Sequence, residues 1–190
     1  MFGLIDMKIL LLNAGAKNYG ATQEILTIVS NELPHGAAAD IVCLGDLDIG
    51  YCKGCKVCYD TCNCIQKDDM EPLIDLIDTS DIIVIAAPSY WADVPGQFKV
   101  FIDRCTVYSD TNLNPNHRTL NSPKKCYAIA LRAGGRPVEC EHIIETVKHW
   151  CGHMKIDMVD SMYFCGINDK RDIDQHKTYI CKKAKSWFSE

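Results

Sequence analysis

The chain has 190 residues, with 20 basic and 25 acidic side chains and a formal net charge of −5. Its 47% hydrophobic and 24% charged residues are typical of a soluble globular protein, which excludes collagen-like, low-complexity and disordered chains. A mildly acidic chain without a basic stripe is not expected to bind nucleic acid or an anionic membrane surface. Because the sequence contains no linker or internal repeat, we predict one domain over residues 1–190.

Apolar runs of strand length alternate with segments of helical periodicity. In chain order they predict a strand at 8–13, a helix at 22–33, a strand at 38–44, a helix at 68–78 with Asp68 as N-cap, a strand at 81–87, a helix at 95–108, a strand at 126–131, a helix at 138–151, a strand at 155–164 and a helix from Ile173 onward. This alternation predicts an α/β fold, a three-layer sandwich around a five-stranded parallel sheet. Ligands of such sheets bind at the carboxyl ends of the strands, so the loops after strands one, three and four are the candidate sites.

The first apolar run, Ile9 to Leu12, is too short for a signal peptide, and no stretch approaches the roughly 20 apolar residues of a membrane span. We therefore expect a cytoplasmic protein with reduced thiols and no membrane association. The sequence has 12 cysteines, of which seven are scattered and are interpreted as small buried apolar residues: Cys43, Cys105, Cys126, Cys140, Cys151, Cys165 and Cys181.

The loop after the first strand has the composition of a phosphate-binding turn. Its glycines let backbone N–H groups point inward, the following helix N-terminus adds partial positive charge, Lys17 adds a full charge and Thr22 a hydroxyl. It is neither a Walker A loop nor a dinucleotide G-x-G-x-x-G. The alternative is a plain strand-to-helix turn with Thr22 as the helix cap.

Residues 12–22, Leu-Asn-Ala-Gly-Ala-Lys-Asn-Tyr-Gly-Ala-Thr, resemble the L-N-G-S-P-R-x-x-G-N-T loop of NAD(P)H-dependent FMN reductases and iron–sulfur flavoproteins. The resemblance implies a flavodoxin-like sheet in the order 2-1-3-4-5, with FMN phosphate held by Gly15, Lys17, Gly20, Ala21 and Thr22. Gly15 stands where the family has Ser, Lys17 where it has Arg, and Ala21 where it has Asn, which leaves the tightness of FMN binding open.

The loops after strands three and four carry aromatic residues and glycines. Residues 88–104, P-S-Y-W-x-x-x-P-G-Q-F-K-x-F-I-D-R, resemble the same family, whose corresponding loop contacts the flavin. The resemblance implies flavin contacts from Pro88, Ser89, Tyr90, Trp91, Ala133, Gly134 and Gly135. The alternative is that the two rings only cap the core. Lys99, Asp103 and Arg104 match the family motif as well but are interpreted as structural residues, whose ordinary role is pairing on a helix surface.

Five cysteines form the pattern Cys52-x2-Cys55-x2-Cys58-x3-Cys62-x-Cys64. Thiolates at x2 spacing can point at one centre, which suits [4Fe–4S] or zinc. The quartet Cys52, Cys55, Cys58 and Cys64 resembles the compact cluster motif of iron–sulfur flavoproteins, whereas the quartet ending at Cys62 has ferredoxin spacing. Cluster-free FMN reductases carry a similar stretch, so a cluster, reduced or redox-active thiols and zinc remain open.

These patterns predict an FMN-dependent oxidoreductase that uses NAD(P)H to reduce a flavin, quinone or similar small acceptor. No protein residue is expected to be catalytic, because the flavin carries the chemistry. The alternatives are an iron–sulfur flavoprotein that exchanges electrons with a ferredoxin, and a non-catalytic flavodoxin-type carrier. The family also implies a homodimer or homotetramer, with the 106–125 loop as contact or lid. His149 and His153 are interpreted as complements to a helix dipole, with a metal site as the alternative.

Overall fold

A computed structural model describes residues 7–121 and 123–189. The strands are β1 (Lys8–Asn13), β2 (Ala38–Cys43), β3 (Ile82–Pro88), β4 (Lys125–Leu131) and β5 (Asp157–Phe164). The α-helices are α1 (Ala21–Ser30), α2 (Val57–Thr61), α3 (Met70–Thr79), α4 (Gly96–Arg104), α5 (Pro137–Met154) and α6 (Lys177–Trp187). Short 3₁₀ turns cover Leu44–Asp46, Cys105–Val107 and Lys170–His176.

The five strands form one parallel sheet in the order β2-β1-β3-β4-β5, which confirms the predicted fold class and strand order. Asn13 at the end of β1 lies opposite Ala86, and Pro88 at the end of β3 lies opposite Leu131. The carboxyl ends of β1, β3 and β4 therefore share one edge, where the loops of interest meet.

Alternate residues of the buried strands pack on opposite sides of the sheet, as the period of two requires. On one side Leu10, Ile83 and Ala128 pack with residues of α3, α4 and α5. On the other side Ile9, Val84 and Ile129 pack with residues of α1 and α6. Among the described residues, no helix combines the length and the apolarity that crossing a bilayer requires.

Several predicted boundaries shift for local reasons. The first helix covers Ala21–Ser30 rather than 22–33, because Pro34 disfavours helical geometry just before it. Lys155 adopts a left-handed conformation with φ of 57°, which ends α5 at Met154 and delays β5 to Asp157. The prediction of Asp68 as a helix cap is wrong: α3 begins at Met70, and Asp68 has another partner described below.

The scattered cysteines behave largely as predicted. Cys43, Cys105, Cys126, Cys140 and Cys151 are buried, whereas Cys165 and Cys181 are partly exposed, and all are free thiols. Burial raises the pKa of Cys105 and of Cys140 to about 12. These two thiols therefore stay protonated at neutral pH, which suits a packing role.

Candidate functional site

The loop after β1 is shaped by Asn13, whose side chain is completely buried. Its Nδ2 donates to the carbonyl of Lys17 and to Gln23 Oε1, both at 3.0 Å. Its Oδ1 accepts from the backbone N–H of Gly15 at 2.9 Å. One side chain thus holds both ends of the loop against the start of α1. Asn13 belongs to the motif at residues 12–22, but the sequence pattern alone predicts no role for it.

The N-terminus of α1 has no side-chain cap. Its N-cap residue is Gly20, with φ of 108° and ψ of −171°, and Thr22 lies within the first turn. The interpretation of Thr22 as a plain helix cap is therefore wrong. The N–H groups at the start of an α-helix lack partners within the helix, so an uncapped start is suited to an anion.

Gly15 and Lys17 belong to the loop that leads into this uncapped helix start. A Cβ atom at Gly15 would lie 2.9 Å from Asn13 Oδ1, so the serine found there in the family would crowd the hydrogen bond that shapes the loop. Lys17 is exposed, and its Nζ lies 5.4 Å from the centre of the Tyr19 ring. The loop therefore offers an exposed cation beside a backbone-defined turn.

Gly20→Ala is expected to lower the free energy of unfolding by about 1–3 kcal/mol, because backbone with these angles is almost exclusive to glycine. No atom lies within 4 Å of a Cβ added at Gly20, so the loss isolates backbone strain. The matched control is Gly152→Ala within α5, which also has open space and should stabilise by about 0.5–1 kcal/mol. Urea unfolding measures both, and equal stabilisation by the two alanines would contradict this account.

The loop after β3 forms a tight turn. Tyr90 and Asp93 exchange backbone hydrogen bonds of 2.9 and 3.1 Å, and the central residues Trp91 and Ala92 have φ of 54° and 65°. Two positive φ values define a type I′ turn, which is strained without glycine. Trp91 is fully exposed and Tyr90 is 44% exposed. The alternative that both rings only cap the core is therefore wrong for Trp91.

The loop after β4 lies beside this turn. Arg132 forms an ion pair of 2.5 Å with Glu139, and Glu139 accepts from Ser89 Oγ at 3.3 Å. A Cβ at Gly134 would lie 2.4 Å from a guanidinium nitrogen of Arg132, so a larger residue there would require this side chain to shift.

A cleft of about 410 Å³ lies between the two loops. Its lining consists of Ser89, Trp91, Ala92, Arg132, Ala133 and Glu139. The volume lies within the range of about 300–1,000 Å³ of small-molecule sites. Arg132 and Glu139 were not among the predicted site residues, although Arg132 directly precedes the glycine loop.

The cysteine segment, residues 52–64, contains the short helix α2, which the sequence pattern did not predict. Cys52 and Cys55 are exposed, and the other three sulfurs are partly buried. Burial raises the pKa of the Cys58 thiol, and three neighbouring sulfurs raise it further, those of Cys64, Cys52 and Cys55. The three sulfurs that influence Cys58 belong to the quartet that ends at Cys64.

Arg104 is a buried residue that lies next to the cysteine segment. Its side chain is 1% exposed and forms two hydrogen bonds with Asp68, at 2.6 and 3.0 Å, and one of 2.7 Å with the carbonyl of Gly50. Arg104 lowers the pKa of Asp68. Burial opposes the charge of Arg104, but Asp68 and the nearby Cys64 sulfur more than offset it and raise its pKa.

Lys99 and Asp103 form the expected surface pair on α4. The structural role predicted for Arg104 agrees with its ion pair with Asp68, but its placement on the helix surface is wrong. In the described parts of the chain, Arg104 Nε is buried without a hydrogen-bond partner. A guanidinium with a spare buried donor beside Cys64 is suited to an anionic sulfur centre.

The 106–125 loop packs on the cysteine segment. Asn112 is buried and donates to the carbonyl of Cys58 at 3.3 Å, and Asn114 donates to the carbonyl of Tyr59 at 2.6 Å. The loop therefore has an intramolecular bracing role that its polar composition did not predict.

A zinc site needs its ligands gathered around one ion, with sulfur at about 2.3 Å. Within 7–121 and 123–189, no group of three or more His, Cys, Asp or Glu side chains is arranged to hold a metal ion. This finding counts against the zinc alternative. It does not place the four sulfurs around a cluster either.

A sequence model of the family described as NADPH-dependent FMN reductase matches residues 7–165. The chain belongs to the NADPH-dependent FMN reductase family. The match includes all three loops at the carboxyl edge of the sheet and the cysteine segment. Family membership supports FMN binding by this chain.

Within the family, an iron–sulfur flavoprotein of Archaeoglobus fulgidus is 32% identical over 147 residues, which are 76% of this chain and 64% of that protein. The chain thus spans less than two thirds of that relative. The fold is shared with a flavone reductase, with a TM-score of 0.73 at 16% identity, over 94% of this chain and 61% of that one. It is also shared with an NAD(P)H:quinone oxidoreductase from Methanothermobacter marburgensis, with a TM-score of 0.72 at 14% identity, over 96% and 97% of the two chains.

Proposed function

We propose that the chain binds FMN across the carboxyl edge of its sheet and acts as an NAD(P)H-dependent oxidoreductase on a flavin, quinone or similar small acceptor. The observation that carries this proposal is the pairing of an uncapped helix start with an aromatic-rimmed cleft on one sheet edge. The first feature suits a phosphate and the second a flat ring, and FMN contains both.

In this proposal the loop after β1 binds the phosphate of FMN, and the loops after β3 and β4 bind its ring. The first N–H groups of α1 and the Lys17 ammonium hold the phosphate, together with the backbone of Gly15, Gly20, Ala21 and Thr22. The cleft residues that follow β3 and β4 hold the ring, from Pro88 to Trp91 and from Arg132 to Gly135. Glu139 fixes the Arg132 guanidinium, which supplies a cation at the cleft wall.

The chemistry that FMN supplies when bound is hydride acceptance from a nicotinamide and electron delivery to an acceptor. The chain contributes position and electrostatics. The exposed Trp91 indole offers apolar area at the mouth of the cleft for a second flat ring.

The test is steady-state oxidation of NADH and NADPH by the purified protein with added FMN or a quinone, together with its absorption spectrum. We expect a flavin spectrum and turnover with at least one nucleotide. A protein that takes up no FMN would refute the proposal, whereas FMN uptake without turnover would favour a flavodoxin-type carrier.

A second candidate is an iron–sulfur flavoprotein that passes electrons between a ferredoxin-type donor and FMN. Two features favour it: the spacing of Cys52, Cys55, Cys58 and Cys64, and the buried Arg104 guanidinium, whose pKa the Cys64 sulfur helps to raise. The name of the A. fulgidus relative supports it as well. Under this proposal Cys52, Cys55, Cys58 and Cys64 hold a [4Fe–4S] cluster, which supplies single-electron transfer.

Anaerobic purification followed by iron and sulfide analysis tests this candidate. We expect about four irons per chain in the wild type. Cys64→Ser should lose the cluster spectrum, whereas Cys62→Ser should retain it, because the proposed quartet does not include Cys62. Loss in Cys62→Ser with retention in Cys64→Ser would favour the ferredoxin-like quartet instead, and no iron in the wild type would leave reduced or redox-active thiols.

The family resemblance also leads us to propose a homodimer or homotetramer, with the exposed Trp91 near the contact. Light scattering of the purified protein measures the assembly. Free thiols at all 12 cysteines support a reducing, cytoplasmic location.

A further inference from the structure

Two histidines on the last turns of α5 converge on one point. His149 and His153 are one helical turn apart, and their Nε2 atoms lie 3.1 Å from each other. The ring centroids are 4.6 Å apart and the ring planes are nearly perpendicular at 84°. Side chains four apart on a helix share a face, which is why the rings meet.

The Asp110 carboxylate orients the His153 ring through a contact with its Nδ1 atom. Asp110 Oδ1 lies 2.8 Å from His153 Nδ1, and the Asp110 backbone N–H donates to the His153 carbonyl at 3.0 Å. A proton on Nδ1 of His153 leaves its Nε2 lone pair facing His149. Carboxylate–histidine pairs of this kind support metal-binding imidazoles in proteins.

We propose that His149 and His153 chelate a divalent late first-row transition ion, the class that imidazole ligands favour. An ion at the usual zinc–nitrogen distance of about 2.05 Å from both Nε2 atoms would subtend an angle of about 98°. This angle lies between those of octahedral and tetrahedral coordination. Binding requires His149 to carry its proton on Nδ1, a tautomer change without net proton transfer.

The surroundings leave the remaining coordination positions open. The pair lines a second cleft of about 410 Å³ between α4 and α5, separate from the cleft proposed for FMN. Glu145 lines the same cleft one turn before His149 and adds negative charge there. Water completes the coordination, because within the described residues no third His, Cys, Asp or Glu already joins the pair as a ligand.

Occupation of this site would link α5 to the cysteine segment. Asp110 lies at the start of the loop whose Asn112 and Asn114 donate to carbonyls of α2. An ion bound to His153 would therefore stabilise the Asp110 end of the loop that packs on the cysteine segment.

Calorimetric titration of Zn²⁺ into the protein tests the site, with each variant compared with the wild type because the exposed thiols of Cys52 and Cys55 are also of a ligand type that zinc accepts. We expect His149→Gln and His153→Gln each to lose one equivalent of Zn²⁺. Asp110→Asn should weaken that equivalent by about 10- to 100-fold. The control is His142→Gln, which lines the same cleft but contacts Asp93, and it should bind as the wild type does.

An unchanged stoichiometry in both histidine variants would overturn the proposal. A second measurement needs no variant: the imidazole nitrogen resonances of the wild type, followed during Zn²⁺ addition. Shifts at Nε2 of His149 and His153 support the chelate, and unmoved resonances of both rings contradict it.

Discussion

Asp68→Asn is expected to lower the free energy of unfolding by about 3–5 kcal/mol, because it leaves the buried Arg104 guanidinium without its counter-charge. The side chains of Arg104 and Asp68 are 1% and 10% exposed, so water cannot replace the lost carboxylate. Urea unfolding followed by circular dichroism measures the loss.

The control for this variant lies on α4, the helix that carries Arg104. Asp103→Asn removes the carboxylate of an exposed pair with Lys99, and such pairs contribute only about 0.3–0.5 kcal/mol. If Asp68→Asn were no more destabilising than Asp103→Asn, the bracing role of the buried pair would be wrong.

The same pair predicts a pH dependence. Arg104 lowers the pKa of Asp68 in the folded state, so the pair stabilises the fold above the unfolded carboxyl pKa of about 3.9. That stabilisation is lost as pH falls through the lower folded-state pKa of Asp68. Wild type and Asp68→Asn should therefore converge in stability under acid conditions.

Asn13→Leu is expected to weaken FMN binding by about 10- to 100-fold, if the chain binds FMN as proposed. Leucine has a similar shape but leaves the N–H of Gly15, the carbonyl of Lys17 and the Gln23 amide without their partner. An unsatisfied buried group costs about 1–3 kcal/mol, and about 1.4 kcal/mol is a tenfold change in affinity. Fluorescence titration of FMN measures the change.

Asn18→Ala is the matched control, because Asn18 belongs to the same loop and its side chain donates to the exposed Asp46 at 2.9 Å. We expect nearly wild-type FMN affinity from this variant. Equal affinities for Asn13→Leu and Asn18→Ala would show that the loop does not depend on the buried amide.

The fold was predictable because burial imposes a pattern on neighbouring residues. The run at 82–88 is buried through six of its seven positions, as expected for a strand covered on both faces. The location of these loops at one edge of the sheet was also predictable, because the strands of a parallel sheet place their carboxyl ends together. Trp91 was identified in this way, but its complete exposure was not.

The tertiary structure alone decided which polar groups meet. Arg104 pairs with a residue 36 positions away, and Asn112 bonds to a carbonyl 54 positions away. No local pattern encodes such contacts, because the side chains share no helix face or strand. The sequence by itself determined the sheet, the edge where its loops meet and the family. Only the tertiary structure decided that Arg104 is buried against Asp68 and that Asp110 contacts His153 Nδ1, because these contacts join residues far apart in the sequence.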